Sequence, residues 1–228
     1  MSELRKELIL GNDRKINPNL HNKESICRLA SNFIDEGDII FVDSGATLAL
    51  IPKYIAEISV LTVITTSLTV VSKLLGFSNI RLSLIGGEIN DEQQATYGTV
   101  AKNNIQTYHA NKAFVGADGI SIKKGISSYD DNKGDMTRMM MENADEVFLL
   151  CDSSKIEKNS FQTFASINDI HHLITDDRIT PEQVKMYRDF GVDVIIATKE
   201  NNDIVQNRSN VKIIKNHNHE REVITCCN

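Results

Sequence analysis

The sequence predicts one α/β domain of three layers, in which helices cover both faces of a mostly parallel, twisted sheet. Two observations predict this fold class. Short apolar runs rich in Val, Ile, Leu and Phe recur along the chain, and segments with the apolar spacing of helices separate them. Continuous apolar strands that alternate with helices are typical of a parallel sheet buried on both faces. A chain of 228 residues suits one such domain with short appendages.

Seven strands are predicted, each from a short run of β-branched, aliphatic or aromatic residues. In chain order they are residues 38–42, 61–65, 81–85, 112–116, 147–151, 172–175 and 192–196. The helices between them are predicted from apolar residues three and four positions apart. They are residues 22–34, 48–58, 68–75, 97–108, 136–144 and a last helix that begins near Pro181, a residue suited to a first helical turn. Residues 120–132 show no periodicity, so we expect a loop there.

The two ends of the chain fall outside this pattern. Residues 1–21 are predicted to be a linker or the remnant of a DNA-binding wing, residues 22–198 the α/β domain, and residues 199–228 a C-terminal extension. Within the extension, residues 211–214 and 222–225 could form a terminal hairpin, and a loose tail is the alternative.

Composition and charge exclude several classes of function. The formal net charge of −6 argues against nucleic-acid binding by this chain alone, although a local basic pocket for a small anion is compatible with it. Cysteine spacing gives no metal motif, and His171 and His172 are interpreted as strand-entry residues, so we expect neither a metal nor a cofactor. Cys27 and Cys151 lie in apolar patterns, as reduced thiols of cytoplasmic proteins do. No apolar run is long enough to cross a membrane, so we expect a cytoplasmic protein.

The turn after the first strand is the strongest candidate for a binding site. It contains Asp43, Ser44, Gly45, Ala46 and Thr47 and joins a buried strand to a helix. Backbone N–H groups and the positive end of a helix dipole favour an anion at such a turn, and phosphate is the usual one. Gly45 lets the backbone approach the ligand closely, and the hydroxyl groups of Ser44 and Thr47 can donate hydrogen bonds. The alternative is an ordinary capped turn without a ligand.

Small polar residues and glycines also follow the other predicted strands. Because ligands of parallel sheets bind outside the carboxyl ends of the strands, we expect these residues to share one site. Besides the first turn they are Thr65, Thr66 and Ser67, then Gly86 and Gly87, then Asp118 within residues 116–119, and Lys155 within residues 152–155. Hydroxyl groups, glycines, acids and one lysine suit a polyhydroxylated, phosphorylated ligand. The sequence therefore predicts a pocket for a small anion or a sugar phosphate.

The order of these strand ends resembles the C-terminal effector domain of the DeoR family of bacterial transcription regulators. The matching segments are FVDSGAT (41–47), TVITTS (62–67), LIGGE (84–88), AFVGADGI (113–120), DSSK (152–155) and LITD (173–176). The resemblance covers residues 22–198. It implies a fold like that of ribose-5-phosphate isomerase and glucosamine-6-phosphate deaminase. It also implies a repressor domain whose effector is a phosphorylated sugar.

The resemblance assigns roles by position. The turn from Ser44 to Thr47 would cradle the phosphate, and Lys155 would supply positive charge. Asp43, Thr65, Ser67, Gly86, Gly87 and Asp118 would line the sugar side, with Thr66 beside them. This chain differs from the family pattern at Ala46, Thr66 and Asn111, which stand where a hydroxyl residue, an asparagine and an aspartate are usual. An acidic residue usual early in the helix after residue 132 is matched here by Lys133 or Asp135.

The resemblance also bears on partners, and it leaves two other functions open. It implies a homo-oligomer that contacts operator DNA only through a winged helix-turn-helix domain, which is absent from this chain. No catalytic residue is expected. One alternative is an isomerase or deaminase on the same scaffold, with Asp118 as general base. The other is an oligomerisation module with a vestigial pocket.

Overall fold

The computed structural model describes residues 19–198, and these residues form twelve strands and six α-helices. In chain order the strands are β1 (Ile39–Val42), β2 (Leu61–Thr65), β3 (Ile80–Leu84), β4 (Glu88–Asn90), β5 (Ala95–Tyr97), β6 (Ala110–Val115), β7 (Gly119–Ser121), β8 (Gly125–Ser128), β9 (Ala144–Leu150), β10 (Gln162–Ala165), β11 (His172–Asp176) and β12 (Asp193–Ala197). The α-helices are α1 (Leu20–Ala30), α2 (Pro52–Ile55), α3 (Leu68–Leu74), α4 (Gly98–Ile105), α5 (Asp131–Glu142) and α6 (Pro181–Asp189). The expected hairpin over residues 211–225 and most of the expected linker lie outside the described residues.

A seven-stranded parallel sheet runs through the centre of the domain, with the strand order β12-β11-β9-β6-β1-β2-β3. The seven strands predicted from apolar runs are the seven strands of this sheet. The chain winds outward from β1 to β2 and β3 on one side, and from β6 to β12 on the other. The order therefore reverses between β1 and β6, and the carboxyl ends of these two strands form a topological switch point where ligands bind in such folds.

Two apolar cores lie on opposite faces of this sheet, which confirms the predicted three-layer α/β architecture. Side chains alternate along β1, so that Ile40 and Val42 enter the core beneath α1, α2 and α3. Phe41 points to the other face, where α4, α5 and α6 pack. Cys27 and Cys151 are buried thiols, and burial raises the pKa of each to about 12. No helix among residues 19–198 has the length and apolar content that a membrane span requires.

The expected loop over residues 120–132 was wrong. Strands β7 and β8 fall largely within this segment, where β8 pairs with both β7 and β10 in a small antiparallel sheet, and α5 already begins at Asp131. These strands escape a pattern search because they are made of glycine, isoleucine and serine, and both faces are buried. The buried Ser127 hydroxyl finds a hydrogen-bond partner within the small sheet, since it donates to the Gly119 carbonyl at 3.1 Å.

Two further elements differ from the sequence prediction. The predicted helix over residues 48–58 is a 3₁₀ turn (Leu48–Leu50) followed by the short α2. The break lies at Pro52, which has no N–H to continue an earlier helix and takes the first position of α2 instead. Strands β4 and β5 form a hairpin that the sequence did not reveal, because its strands are three residues long and largely polar.

His172 opens β11, as a strand-entry residue should, and joins three neighbouring strands. Its Nε2 lies 2.7 Å from Glu146 Oε1 on β9, and its Nδ1 lies 3.2 Å from Asp193 Oδ2 on β12. The ring stacks on Phe148, with ring centroids 4.4 Å apart. Burial alone would lower the pKa of His172, but the two carboxylates outweigh burial and raise it.

This arrangement predicts a pH-dependent contribution to stability. Because the pKa is raised on folding, the stabilisation is fully present below the unfolded-state pKa of about 6.5 and is lost as the pH rises through the folded-state pKa. Urea unfolding at about pH 6 and about pH 9 should therefore show wild type losing more unfolding free energy across this interval than His172→Gln. Equal losses in the two proteins would contradict the assignment.

Candidate functional site

A small cleft opens at the carboxyl ends of β1 and β2, beside the topological switch point. Ser44 and Thr66, both predicted site residues, lie at its base. Asn90 and Gln93 of the β4–β5 hairpin and Lys133 of α5 also line it. The cleft is therefore built where the strand topology and the first-turn motif both placed a ligand.

Asp43 fixes the shape of the first turn. It is buried, and its Oδ1 accepts a hydrogen bond of 2.7 Å from the Ser44 N–H. Its Oδ2 accepts from the Gly116 N–H at 3.2 Å and from the Thr137 hydroxyl at 2.9 Å, so one carboxylate ties β1, β6 and α5 together. Burial raises the pKa of Asp43, against the opposing effects of Lys133 and these donors. Asp43 thus fixes the conformation of the turn from a buried position.

The backbone of the turn leaves two N–H groups available to a ligand. Gly45 has a φ of +121°, a region that L side chains rarely adopt, and its carbonyl accepts from the Ala49 N–H at 2.9 Å. Within residues 19–198, the N–H groups of Gly45 and Ala46 donate to no backbone carbonyl. Ala46 is exposed at the tip, whereas Ser44 and Thr47 are buried. The turn can therefore offer backbone donors to a ligand.

Two lysine ammonium groups converge on Asp118 beside this turn. Lys133 Nζ lies 3.2 Å from Asp118 Oδ2, and Lys155 Nζ lies 3.5 Å from Asp118 Oδ1 and 2.6 Å from the Ala117 carbonyl oxygen. Lys133 Nζ also lies 3.9 Å from the position that a Cβ on Gly45 would take. Burial opposes ionisation of Asp118, but the two ammonium groups outweigh it and lower its pKa. The cations outnumber the carboxylate they contact, which favours an anion next to the turn.

The loop that carries Lys155 is held by a polar cluster. The Ser153 N–H and hydroxyl donate to the Asp176 carboxylate at 2.8 and 2.9 Å, and Arg178 Nε donates to it at 2.8 Å. Burial alone would raise the pKa of Asp176, but Arg178 and Ser153 lower it to about 2. Lys155 therefore projects from a short turn (Ser153–Lys155) that is anchored to β11.

Several predicted site residues are engaged in the framework around the cleft. The Thr65 hydroxyl donates to the Val42 carbonyl at 2.6 Å, and the Ser67 hydroxyl caps α3 by accepting from the Val70 N–H at 3.2 Å. Gly87 packs against the hairpin and α4, because an added Cβ would lie 2.4 Å from the Tyr97 carbonyl oxygen. Gly86 is exposed beside it. These residues hold the walls in place.

Lys133 is the residue of the cleft that the sequence prediction left undecided. Of the two candidates for its position, Asp135 forms an ion pair with Lys102, and Lys133 enters the cleft. One signal was available: Lys133 lies three residues after Asp130, the N-cap of α5, and a cation is disfavoured in the first turn of a helix. Within the described part of the chain, no group of His, Cys, Asp and Glu side chains is arranged to hold a metal ion.

Comparison with known proteins gives consistent matches. The family model described as the DeoR C terminal sensor domain matches residues 18–177. The uncharacterized HTH-type transcriptional regulator YulB of Bacillus subtilis is 31% identical over 176 residues, which cover 77% of this chain and 68% of that protein. The lactose phosphotransferase system repressor of Lactococcus lactis is 30% identical over 174 residues, covering 75% of this chain and 68% of the repressor. The chain thus spans about two thirds of the length of these regulators.

Among solved structures, ribose 5-phosphate isomerase A from Methanocaldococcus jannaschii aligns with a TM-score of 0.44. The alignment has 20% sequence identity and covers 61% of this chain and 55% of the isomerase.

Proposed function

The chain belongs to the DeoR family of transcriptional regulators, matching its C-terminal sensor domain, and from that premise we propose that it senses a phosphorylated sugar and thereby controls a repressor. The observation that carries the proposal is the convergence of Lys133 and Lys155 on Asp118, with Lys133 Nζ next to Gly45 of the Ser44–Thr47 turn. Phosphate would sit on the turn, with backbone N–H groups on one side and the two ammonium groups on the other.

The proposal makes this domain a sensor and not an enzyme. A general base in sugar isomerisation needs a free carboxylate whose pKa lies near the working pH. Asp118, the candidate base, instead accepts from both lysines, from the Ser128 hydroxyl at 3.2 Å and from the Tyr129 N–H at 3.2 Å, and its pKa is lowered. These contacts suit a carboxylate that positions lysines. The relatives that match the chain are named as transcriptional regulators.

The wider biology of the proposal follows from these relatives. We place the sensing unit at residues 22–198 and operator contacts in a helix-turn-helix domain, as the HTH-type name of YulB indicates for that protein. The protein would work in the cytoplasm as a homo-oligomer. Ligand binding would shift the arrangement of subunits or domains, which requires that the two arrangements bind the ligand with different affinities.

A thermal-shift screen tests the proposal directly. A ligand that binds only the native state raises the melting temperature by mass action. At least one sugar phosphate should raise it by several degrees, while the corresponding free sugar should not. No shift across a panel of sugar phosphates would contradict the proposal and favour the oligomerisation module. Turnover of ribose 5-phosphate or glucosamine 6-phosphate would establish the enzyme alternative.

A further inference from the structure

We propose that the β4–β5 hairpin selects the ligand through Asn90 and Gln93, and that the preferred ligand is a sugar monophosphate whose far end carries hydroxyl groups and no second charge. This inference rests on the proposed function and deepens it. The residues that the sequence assigned to the sugar side, such as Thr65 and Ser67, are engaged in the framework. Contact with the rest of the ligand must therefore come from other residues that line the cleft.

The base of the hairpin is fixed to the sheet. The Thr96 N–H donates to the Thr66 carbonyl at 2.9 Å, and the Leu68 N–H donates to the Gln94 carbonyl at 2.9 Å. The Thr96 hydroxyl also bonds to the Ile85 carbonyl. These bonds tie the hairpin to the carboxyl ends of β2 and β3. The hairpin is consequently held beside Ser44 and Thr66, which line the same cleft as Asn90 and Gln93.

Three of the residues that line the cleft have amide side chains. Asn90 and Gln93 come from the hairpin, and Asn132 faces them from the first turn of α5. Asn90 spans the cleft, since its Nδ2 lies 3.5 Å from Asp130 Oδ2, and its Oδ1 accepts from the Gln93 N–H at 3.0 Å. Amides offer donors and acceptors without charge, which is the chemistry that recognises sugar hydroxyl groups. The Asn90–Asp130 contact is a bond that ligand hydroxyl groups can replace.

Charge in the cleft is segregated along the expected ligand axis. Both ammonium groups contact Asp118, which follows β6, and Lys133 Nζ approaches Gly45 of the turn. Asp130 lines the cleft beside Asn90, and Asp91 and Glu92 are exposed residues between β4 and β5. A second phosphate near Asn90 would meet the Asp130 carboxylate, while Lys133, the one cation among the lining residues, is already in contact with Asp118. Such like-charge placement is a common means of rejecting a wrong ligand.

The test compares ligands and variants on the full chain. Wild type should bind fructose 6-phosphate or another sugar monophosphate at least tenfold more tightly than fructose 1,6-bisphosphate, measured by calorimetry. Asn90→Ala and Gln93→Ala should each weaken the best monophosphate at least fivefold and change the affinity for inorganic phosphate less than twofold. Gln106→Ala, at an exposed position just after α4, serves as the matched control and should behave as wild type.

The outcomes separate this inference from the proposed function. If wild type binds no phosphate compound, both fail. If wild type binds sugar phosphates but neither Asn90→Ala nor Gln93→Ala weakens the best monophosphate relative to inorganic phosphate, the hairpin inference alone is overturned. A preference for the bisphosphate would also overturn it. The Asn90 side chain contacts Asp130 and the Gln93 N–H, so Asn90→Ala can also loosen the hairpin. The Gln93 side chain makes no hydrogen bond within residues 19–198. Gln93→Ala therefore tests ligand contact without that structural effect.

Discussion

Replacing Lys133 or Lys155 by alanine should remove most of the affinity for a sugar phosphate, with the larger loss at Lys133. Each ammonium group can form a charge-assisted hydrogen bond with the phosphate, worth about 1.5–3 kcal/mol, which corresponds to roughly a tenfold to hundredfold weaker Kd. Lys133 should matter more because it is more enclosed, with 12% of its side chain exposed against 28% for Lys155, and because its Nζ lies next to Gly45.

Calorimetric titration of the ligand found by thermal shift measures this loss. Lys158→Ala is the matched control, because Lys158 is an exposed lysine three residues beyond Lys155 and should leave the Kd unchanged. Each variant still leaves Asp118 one lysine partner, so urea unfolding should show that the protein remains folded. Unchanged affinity in both Lys133→Ala and Lys155→Ala would remove the lysine pair from the site and, with it, the main support for the proposed function.

The sequence predicted the sheet well because most of its inner strands are buried on both faces. The second half of β9, with Val147, Phe148, Leu149 and Leu150 all buried, must be apolar, and this gives a continuous apolar run in the sequence. The small sheet leaves no such run. Its strands are held by close backbone approach and by serine hydroxyl groups, and these depend on residues that are distant in sequence, such as β10. Local patterns carry no information about that pairing.

The same distinction separates the residues of the candidate site that were predictable from those that were not. The turn from Ser44 to Thr47 and the loop that carries Lys155 were predictable, because both come after buried strands and topology brings strand ends together. Lys133 comes from a helix that starts after the segment expected to be a loop, and its approach to Gly45 depends on how α5 packs. Asn90 and Gln93 belong to a hairpin with no apolar pattern. Local sequence patterns do not predict which side chains tertiary packing brings to a cleft.

Gly125 is the residue on which the small sheet depends most directly. It opens β8 with a φ of +83°, and a Cβ added there would lie 2.3 Å from the Ala165 carbonyl oxygen in the backbone of β10. A backbone atom cannot turn aside as a flexible side chain can, so Gly125→Ala must push β10 away from β8. Gly191 has nearly the same backbone conformation, with a φ of +86°, but the space around its Cβ position is open among the described residues. The two glycines therefore separate the cost of the backbone conformation from the cost of the clash.

Gly191→Ala should cost about 1–2 kcal/mol, the penalty of a left-handed conformation for alanine. Gly125→Ala should cost that amount plus about 1–3 kcal/mol for forced overpacking, and should melt at least about 5 °C below Gly191→Ala. It should also weaken ligand binding, because β8 leads directly into Ser128 and Tyr129, which hold Asp118 between the two lysines. Thermal unfolding and calorimetry on both variants measure these effects. Equal melting temperatures would mean that β8 and β10 separate without cost and that the small sheet does not position the site.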